Sequence, residues 1–259
     1  MGFVDAVGTE HAVAAEGARI VCLVPSITEL LCDLGLASQL VGRTGFCIHP
    51  KSVVRTIPKV GGTKDVKVAR LRELAPTHVV VNIDENRRET VEEIAEFVPS
   101  VVVTHPLGPL DNIGLYRLLG GIFGRNEEAE RLCHDFDLAV RNLSDSEHPL
   151  EHVLYLIWRE PWMTVSRDTY IARTLALAGW VTHPPVSDSR YPELDLAETP
   201  STVDRVLLSS EPFRFREKHI TEVQALVPYA RVSLIDGEMT SWYGSRAIAG
   251  LRYLDAFRA

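Results

Sequence analysis

The chain reads as an α/β protein with parallel sheets in two lobes joined by helix. Three observations predict this. Short β-branched or aliphatic runs recur in both halves, most are followed by a segment with helical apolar spacing, and a strand-free helical stretch separates the two series. Residues 1–17 carry Asp5, Glu10 and Glu16 and no long apolar run, so a disordered or extended lead is expected there. Arg19 to Val24 follows as a strand. Ser26-Ile27-Thr28-Glu29 after Pro25 has the form of a capping box for a helix through Leu30, Leu31 and Leu34, stopping at Gly35. Val41 lies in a second short strand. A helix over Val68 to Leu74, a buried strand over His78 to Ile83, a helix over Glu89 to Phe97 and a strand over Val101 to Thr104 complete the first series.

From Asp111 to about Leu143 the pattern is helical, interrupted at Gly120-Gly121 and Gly124 and resumed with Leu132, Phe136 and Val140 on one face. Strands at His152 to Ile157, Arg205 to Leu208 and Arg231 to Ile235 then alternate with helices starting near Thr169, Arg216 and Ser245. The expected division is a lead over 1–17, an amino-terminal lobe over 18–108, a helical connector over 109–145 and a carboxyl-terminal lobe over 146–259.

Composition bounds the function. Of 259 residues, 35 are acidic and 27 basic, a formal charge of −8 that argues against a general nucleic-acid or anionic-membrane binder. No stretch approaches a membrane span and the amino terminus has no secretory leader, so the chain as written is expected in the cytoplasm, or outside it if a leader has been removed. Cys22, Cys32, Cys47 and Cys133 show neither paired nor metal-finger spacing; they are expected as reduced thiols, with Cys22 and Cys32 in the core.

In open α/β sheets ligands bind at the carboxyl ends of the strands, so candidate binding residues come from the loops there. The first series offers Phe46, Cys47, His49, Lys64, Glu85, Asn86, Arg87 and Arg88. The second offers Trp158, Arg159, Trp162, Arg167, Tyr191, Glu211, Glu238, Trp242, Tyr243 and Arg246. Flat aromatic surfaces would stack on a macrocycle, and the cations suit carboxylate or phosphate groups. Each feature has a plainer reading. Gly61-Gly62-Thr63-Lys64 is better read as a tight turn than a phosphate loop, the tryptophans could pack lobe cores, and Arg167-Asp168 reads as a cap and ion pair before the Tyr170 helix. No metal ligand set and no catalytic set is assigned.

Leu23-Val24-Pro25-Ser26-Ile27-Thr28-Glu29-Leu30, Leu34-Gly35-Leu36, Val41-Gly42, Pro50 and the run from Leu71 to Ile83 resemble the first lobe of the vitamin B12 and iron-siderophore type of solute-binding proteins. This is the helical-backbone metal-receptor superfamily, with a class III periplasmic-binding-protein-like fold. Ser209 to Phe213 and Asp236 to Arg246 are similar to a leaderless branch of it. The resemblance implies two Rossmann-like lobes with parallel sheets, a long backbone helix between them, and a cleft holding a metal chelate such as a corrinoid, haem or ferric siderophore. Phe46 and Tyr191-Pro192 match aromatic positions of the cobalamin-binding members, whereas Thr63 and Ile83 replace tryptophans. Ala69 replaces the glutamate that docks on an ABC transporter permease, so that partner is expected without its acidic contact. The leading expectation is a solute-binding protein for a polar or anionic chelate rather than an enzyme. The alternatives are a cytosolic enzyme using Cys47 with His49, or Glu211 with Glu238, and a ligand sensor using the same cleft.

Overall fold

The computed structural model describes residues 2–146 and 148–258. The chain folds into two units: Met1–Pro106 with Leu110–Asp135 and Tyr243–Arg246, and Leu107–Pro109 with Phe136–Trp242 and Ala247–Ala259. The expected helical connector therefore contributes to both units.

Unit 1 is built on β3 (Ile20–Cys22), β4 (Leu40–Arg43), β5 (His78–Asn82) and β6 (Ser100–Thr104), all parallel in the order β4-β3-β5-β6. β5 is aliphatic at consecutive positions because both its faces are covered. Val79 and Val81 point to one face, where Val21, Leu23, Leu71 and Ile94 complete a core closed by α3 (Val68–Glu73) and α4 (Arg88–Ala95). Val80 is equally buried. Helix α1 (Pro25–Asp33) follows β3, but not through the expected capping box. Pro25 occupies the first turn, Val24 is the cap and supplies no side-chain bond. The other half of the box is drawn elsewhere, since Arg246 holds both oxygens of Glu29 at 2.7 Å.

Residues 2–17 are not a loose lead. β1 (Phe3–Val4) and β2 (Glu10–His11) form an antiparallel hairpin. The Ala6 N–H donates to Val103 O at 3.0 Å, and the Val103 N–H donates to Asp5 Oδ2 at 3.0 Å. The hairpin thus satisfies backbone groups on edge strand β6, a protection that hydrophobic pattern alone does not announce. A four-residue helix α2 (Lys51–Val54) also escapes the sequence pattern. The helical stretch divides at Gly124, whose φ of +65° ends α5 (Asp111–Ile122) before α6 (Asn126–Asp145).

Unit 2 has β7 (Glu151–Trp158), β8 (Met163–Thr164), β9 (Trp180–Thr182), β10 (Arg205–Ser209) and β11 (Arg231–Ile235). The order is β11-β10-β7; the outer edge of β7 is shared, with β9 parallel along its first half and β8 antiparallel along its end. Sequence reading missed β8 and β9 because each is three residues or shorter. Leu154, Leu156, Val206 and Leu208 form a core with Phe215 and with Val223 of α8 (Glu217–Leu226). α7 (Tyr170–Leu177) is capped by Thr169, whose hydroxyl accepts from the Ala172 N–H; Arg167-Asp168, expected as the cap, lies one step outside it. α9 (Gly237–Ser241) and α10 (Arg246–Arg258) end the chain. Gly237 is required where it stands, since a Cβ there would lie 2.5 Å from Ser209 Oγ. Among the described residues no helix is long and apolar enough to cross a membrane.

Candidate functional site

In unit 1 the carboxyl ends of all four strands share one edge, and the loops there are tied to each other. Buried Arg43, the last residue of β4, donates from Nη1 to Thr44 O at 2.9 Å and Cys47 O at 3.0 Å. That anchor turns Phe46 and Ile48 outward, 62% and 43% exposed, while Cys47 between them points in. Asn86 joins three segments: its Oδ1 accepts from the Asn82 N–H, and its Nδ2 donates to Thr63 O at 3.0 Å and Leu23 O at 3.4 Å. With these three polar contacts directed into the protein, Asn86 acts as a loop bracket, where a ligand contact was expected. Lys64 Nζ donates to Asp84 O at 2.7 Å, and Arg87 lies 3.4 Å from Asp65 on the surface. Gly61 to Lys64 forms the expected turn, with Gly61 at φ +113°. Arg88 pairs along its helix with Glu92 at 2.8 Å.

Cys47 is unsuited to nucleophilic work. Its Sγ lies 3.1 Å from Thr28 Oγ1 and 3.2 Å from Thr44 Oγ1. Burial pushes its thiol up, outweighing those hydroxyls and Arg43. Burial pushes Cys22 up as well, while Cys32, expected in the core, is only half-buried. His49 is half-buried, two residues from Cys47 in the same loop. Among the described residues no group of three His, Cys, Asp or Glu is placed to hold a metal ion. Tyr243 is another correction to the expected aromatic wall: its ring is buried, and its hydroxyl donates to Glu85. Burial, with the adjacent Glu85 charge, pushes the phenol well up. Arg246 is occupied by Glu29.

Unit 2 holds its loops with aromatic rings. Trp158, 41% exposed at the end of β7, meets Phe213 edge-on at 5.8 Å; Phe213 meets Phe215 at 4.8 Å, and Phe215 stacks on Trp162 at 6.2 Å. Trp162 is thereby part of the core margin, the plainer of its two readings. Arg159 sits over Trp162, but its charge is met by Glu222 at 2.8 Å and Glu160 at 2.7 Å. Arg167 is exposed, with Nε 3.4 Å from Thr182 O. Tyr191 is exposed beneath the Arg190 guanidinium.

Glu211, after β10, is a half-buried carboxylate whose environment shifts its protonation. Its Oε1 accepts from Ser241 Oγ at 2.7 Å and Trp242 Nε1 at 2.9 Å. Burial pushes its pKa up, Glu238 and Asp236 add to the rise, and the two donors oppose it. The structure brings Glu211 and Glu238 into one electrostatic group, as the sequence suggested, with Trp242 engaged as a hydrogen-bond donor. Ser241, Asp236, Ile48 and the exposed Ile83 stand in the same loops but were not assigned to the site. Ser and Asp in a turn carry little distinctive signal, and an apolar residue turned to solvent cannot be told from a core residue by its type.

Parallel α/β units of this kind host many functions, so the family is identified from the chain's own sequence pattern. It belongs to the periplasmic binding protein family, which it matches over residues 20–194. It is 23% identical over 168 residues, 62% of its length, to the vitamin B12-binding protein of Pectobacterium atrosepticum; the alignment covers 60% of that relative's length. In fold it is similar to the periplasmic vitamin B12 binding protein BtuF of Vibrio cholerae, with a TM-score of 0.78 at 14% identity over 92% of this chain and 95% of that one. It is similar also to the periplasmic heme-binding protein RhuT from Roseiflexus sp. RS-1, with a TM-score of 0.78 at 20% identity over 92% and 97% of the two chains.

Proposed function

We propose that this chain is a binding protein for a metal chelate with a flat face and anionic edge groups, a corrinoid, haem or ferric siderophore, and that it carries out no chemistry on it. The observation behind this reading is the set of apolar side chains turned to solvent on carboxyl-end loops: Phe46, Ile48 and Ile83 in unit 1, Trp158 and Tyr191 in unit 2. Exposed rings on otherwise internally bonded loops are ready-made stacking surfaces, with little ordering cost on binding. Lys64, Arg87 and Arg167 are the exposed cations beside them and are assigned to the anionic groups. The lobes are taken as 18–108 and 146–259 and the connector as 109–145, and each lobe carries its own set of such loops.

The buried, protonated Cys47 gives the thiol-enzyme alternative no support. An ABC transporter permease is proposed as partner. Exposed Ala69 lies in α3 between Lys67 and Arg70, so docking there would rely on contacts other than a carboxylate. The working compartment is proposed to be extracytoplasmic, as the family's description has it; fractionation of expressing cells tests this. Titration of tryptophan fluorescence with cobalamin, haem and a ferric siderophore, corrected for inner-filter absorption, tests the ligand reading. Saturable quenching by one chelate at micromolar concentration supports it, and no quenching by any of the three rejects it.

A further inference from the structure

Along edge strand β6 of unit 1, two residues of the amino-terminal hairpin and Ser100, at the amino-terminal start of the strand, are linked in a line. His11 Nδ1 lies 3.0 Å from Ser100 Oγ, and His11 Nε2 lies 3.1 Å from Asp5 Oδ2. Asp5 and His11 are buried; Ser100, at the start of β6, is half-buried. Asp5 is fixed as an acceptor. Its Oδ1 takes the N–H groups of Val7 at 3.0 Å and Thr9 at 2.9 Å, and its Oδ2 that of Val103 at 3.0 Å. Burial alone would raise its pKa, but these donors and His11 together hold the carboxyl below its usual value. A carboxylate held this way accepts the Nε2 proton and leaves Nδ1 as a base facing the serine hydroxyl.

Ser100 and His11 also line a cavity of about 340 Å³, together with Ala12, Val13, His78 and Pro99. That size lies within the range of roughly 300–1,000 Å³ common for small-molecule sites. His78 is the register partner of Ser100 across β5 and β6. Burial and the neighbouring His11 keep its pKa down, so it is a neutral ring. The Thr77 hydroxyl, which donates to Arg19 O at 3.3 Å, lies 2.9 Å from His78 Nδ1 and fixes the ring.

We propose that Asp5, His11 and Ser100 form a second, hydrolytic site, acting on small carboxylic esters with a short apolar acyl group, the cavity being walled by Ala12, Val13 and Pro99. Ser100 Oγ bonds to the ester carbonyl carbon as its proton passes to His11 Nδ1; the imidazolium so formed is stabilised by Asp5. The carbon–alkoxy bond then breaks, the departing alcohol takes the proton from His11, and an acyl-serine remains. Water, deprotonated by the same nitrogen, releases the carboxylic acid and restores the serine.

Labelling of the full chain with a fluorophosphonate, followed by peptide mass mapping, tests the assignment, because the Ser Oγ–P bond forms with loss of fluoride only at an activated serine. The wild type is expected to be modified at Ser100. S100A should lose the label, and H11Q should lose it by about 10²-fold or more, the usual contribution of a general base. Hydrolysis of p-nitrophenyl acetate should fall in parallel, with circular dichroism confirming that both variants are folded. Absence of label at Ser100 in the folded wild type, or equal labelling in H11Q, would overturn the proposal and leave the triad as a pin for the hairpin. Neither outcome bears on chelate binding at the carboxyl ends of the strands.

Discussion

The two units solve the same problem, holding a loop steady at the carboxyl end of a parallel sheet, with different materials. Unit 1 uses polar brackets: Arg43 grips two carbonyls, and Asn86 spans β5, the Gly61 turn and the end of β3. Unit 2 uses a ladder of rings, Trp158-Phe213-Phe215-Trp162, continuous with its hydrophobic core. Each set also contains a carboxylate held by an aromatic donor, Glu85 by Tyr243 and Glu211 by Trp242. Polar brackets fail by leaving partners unsatisfied in a buried place, whereas ring ladders fail by opening a cavity.

Substitutions separate these modes. Phe215→Ala should give the largest effect, about 3–5 kcal/mol of stability in denaturant titration, because a ring 4% exposed leaves both its ladder contacts and the core. Asn86→Ala should cost about 2–3 kcal/mol by the same measurement, since the Asn82 N–H and two carbonyls lose a buried partner. A cost below that of a surface alanine would show that unit 1's loops are not held by this bracket. Glu211→Gln sharpens the contrast through pH. Because folding raises the Glu211 pKa, its native form is favoured when protonated, and that stability is lost as pH rises from the unfolded value near 4.5 through the higher folded value. The wild type should therefore lose stability over that window and the glutamine variant should lose less; parallel curves would refute a buried, perturbed carboxylate. Trp158→Ala should cost only about 1 kcal/mol but abolish most ligand-induced quenching if the exposed ring is the stacking surface. Arg87→Ala, removing a surface pair, should change stability by less than about 0.5 kcal/mol.

Most of the strands and long helices were legible in the sequence. The runs at His78 and Arg231 are β-branched and bounded by turns, and the break at Gly124 follows from its missing side chain. Short elements were not: β8 and β9 hold too few residues for a period to appear, and the hairpin of β1 and β2 draws its support from β6, 98 residues away. The capping box at Ser26 failed for a related reason, because Glu29 is drawn to Arg246, over 200 residues further along. In the candidate site, residue type identified the right loops but not the direction of each side chain. Phe46 and Cys47 are neighbours with opposite fates, one outward and one buried. Trp158 and Trp162 differ less sharply, one exposed and the other partly buried against the core.

By itself, the sequence determined the α/β alternation, the two series of parallel strands and the loops that carry their chemistry, because periodicity and turn residues act locally along the chain. Only the tertiary structure decided which charges are already paired, which rings are open to a ligand, and that Asp5, His11 and Ser100 stand in line. Burial and hydrogen bonding depend on neighbours brought together by folding, and those partners lie up to 217 residues apart.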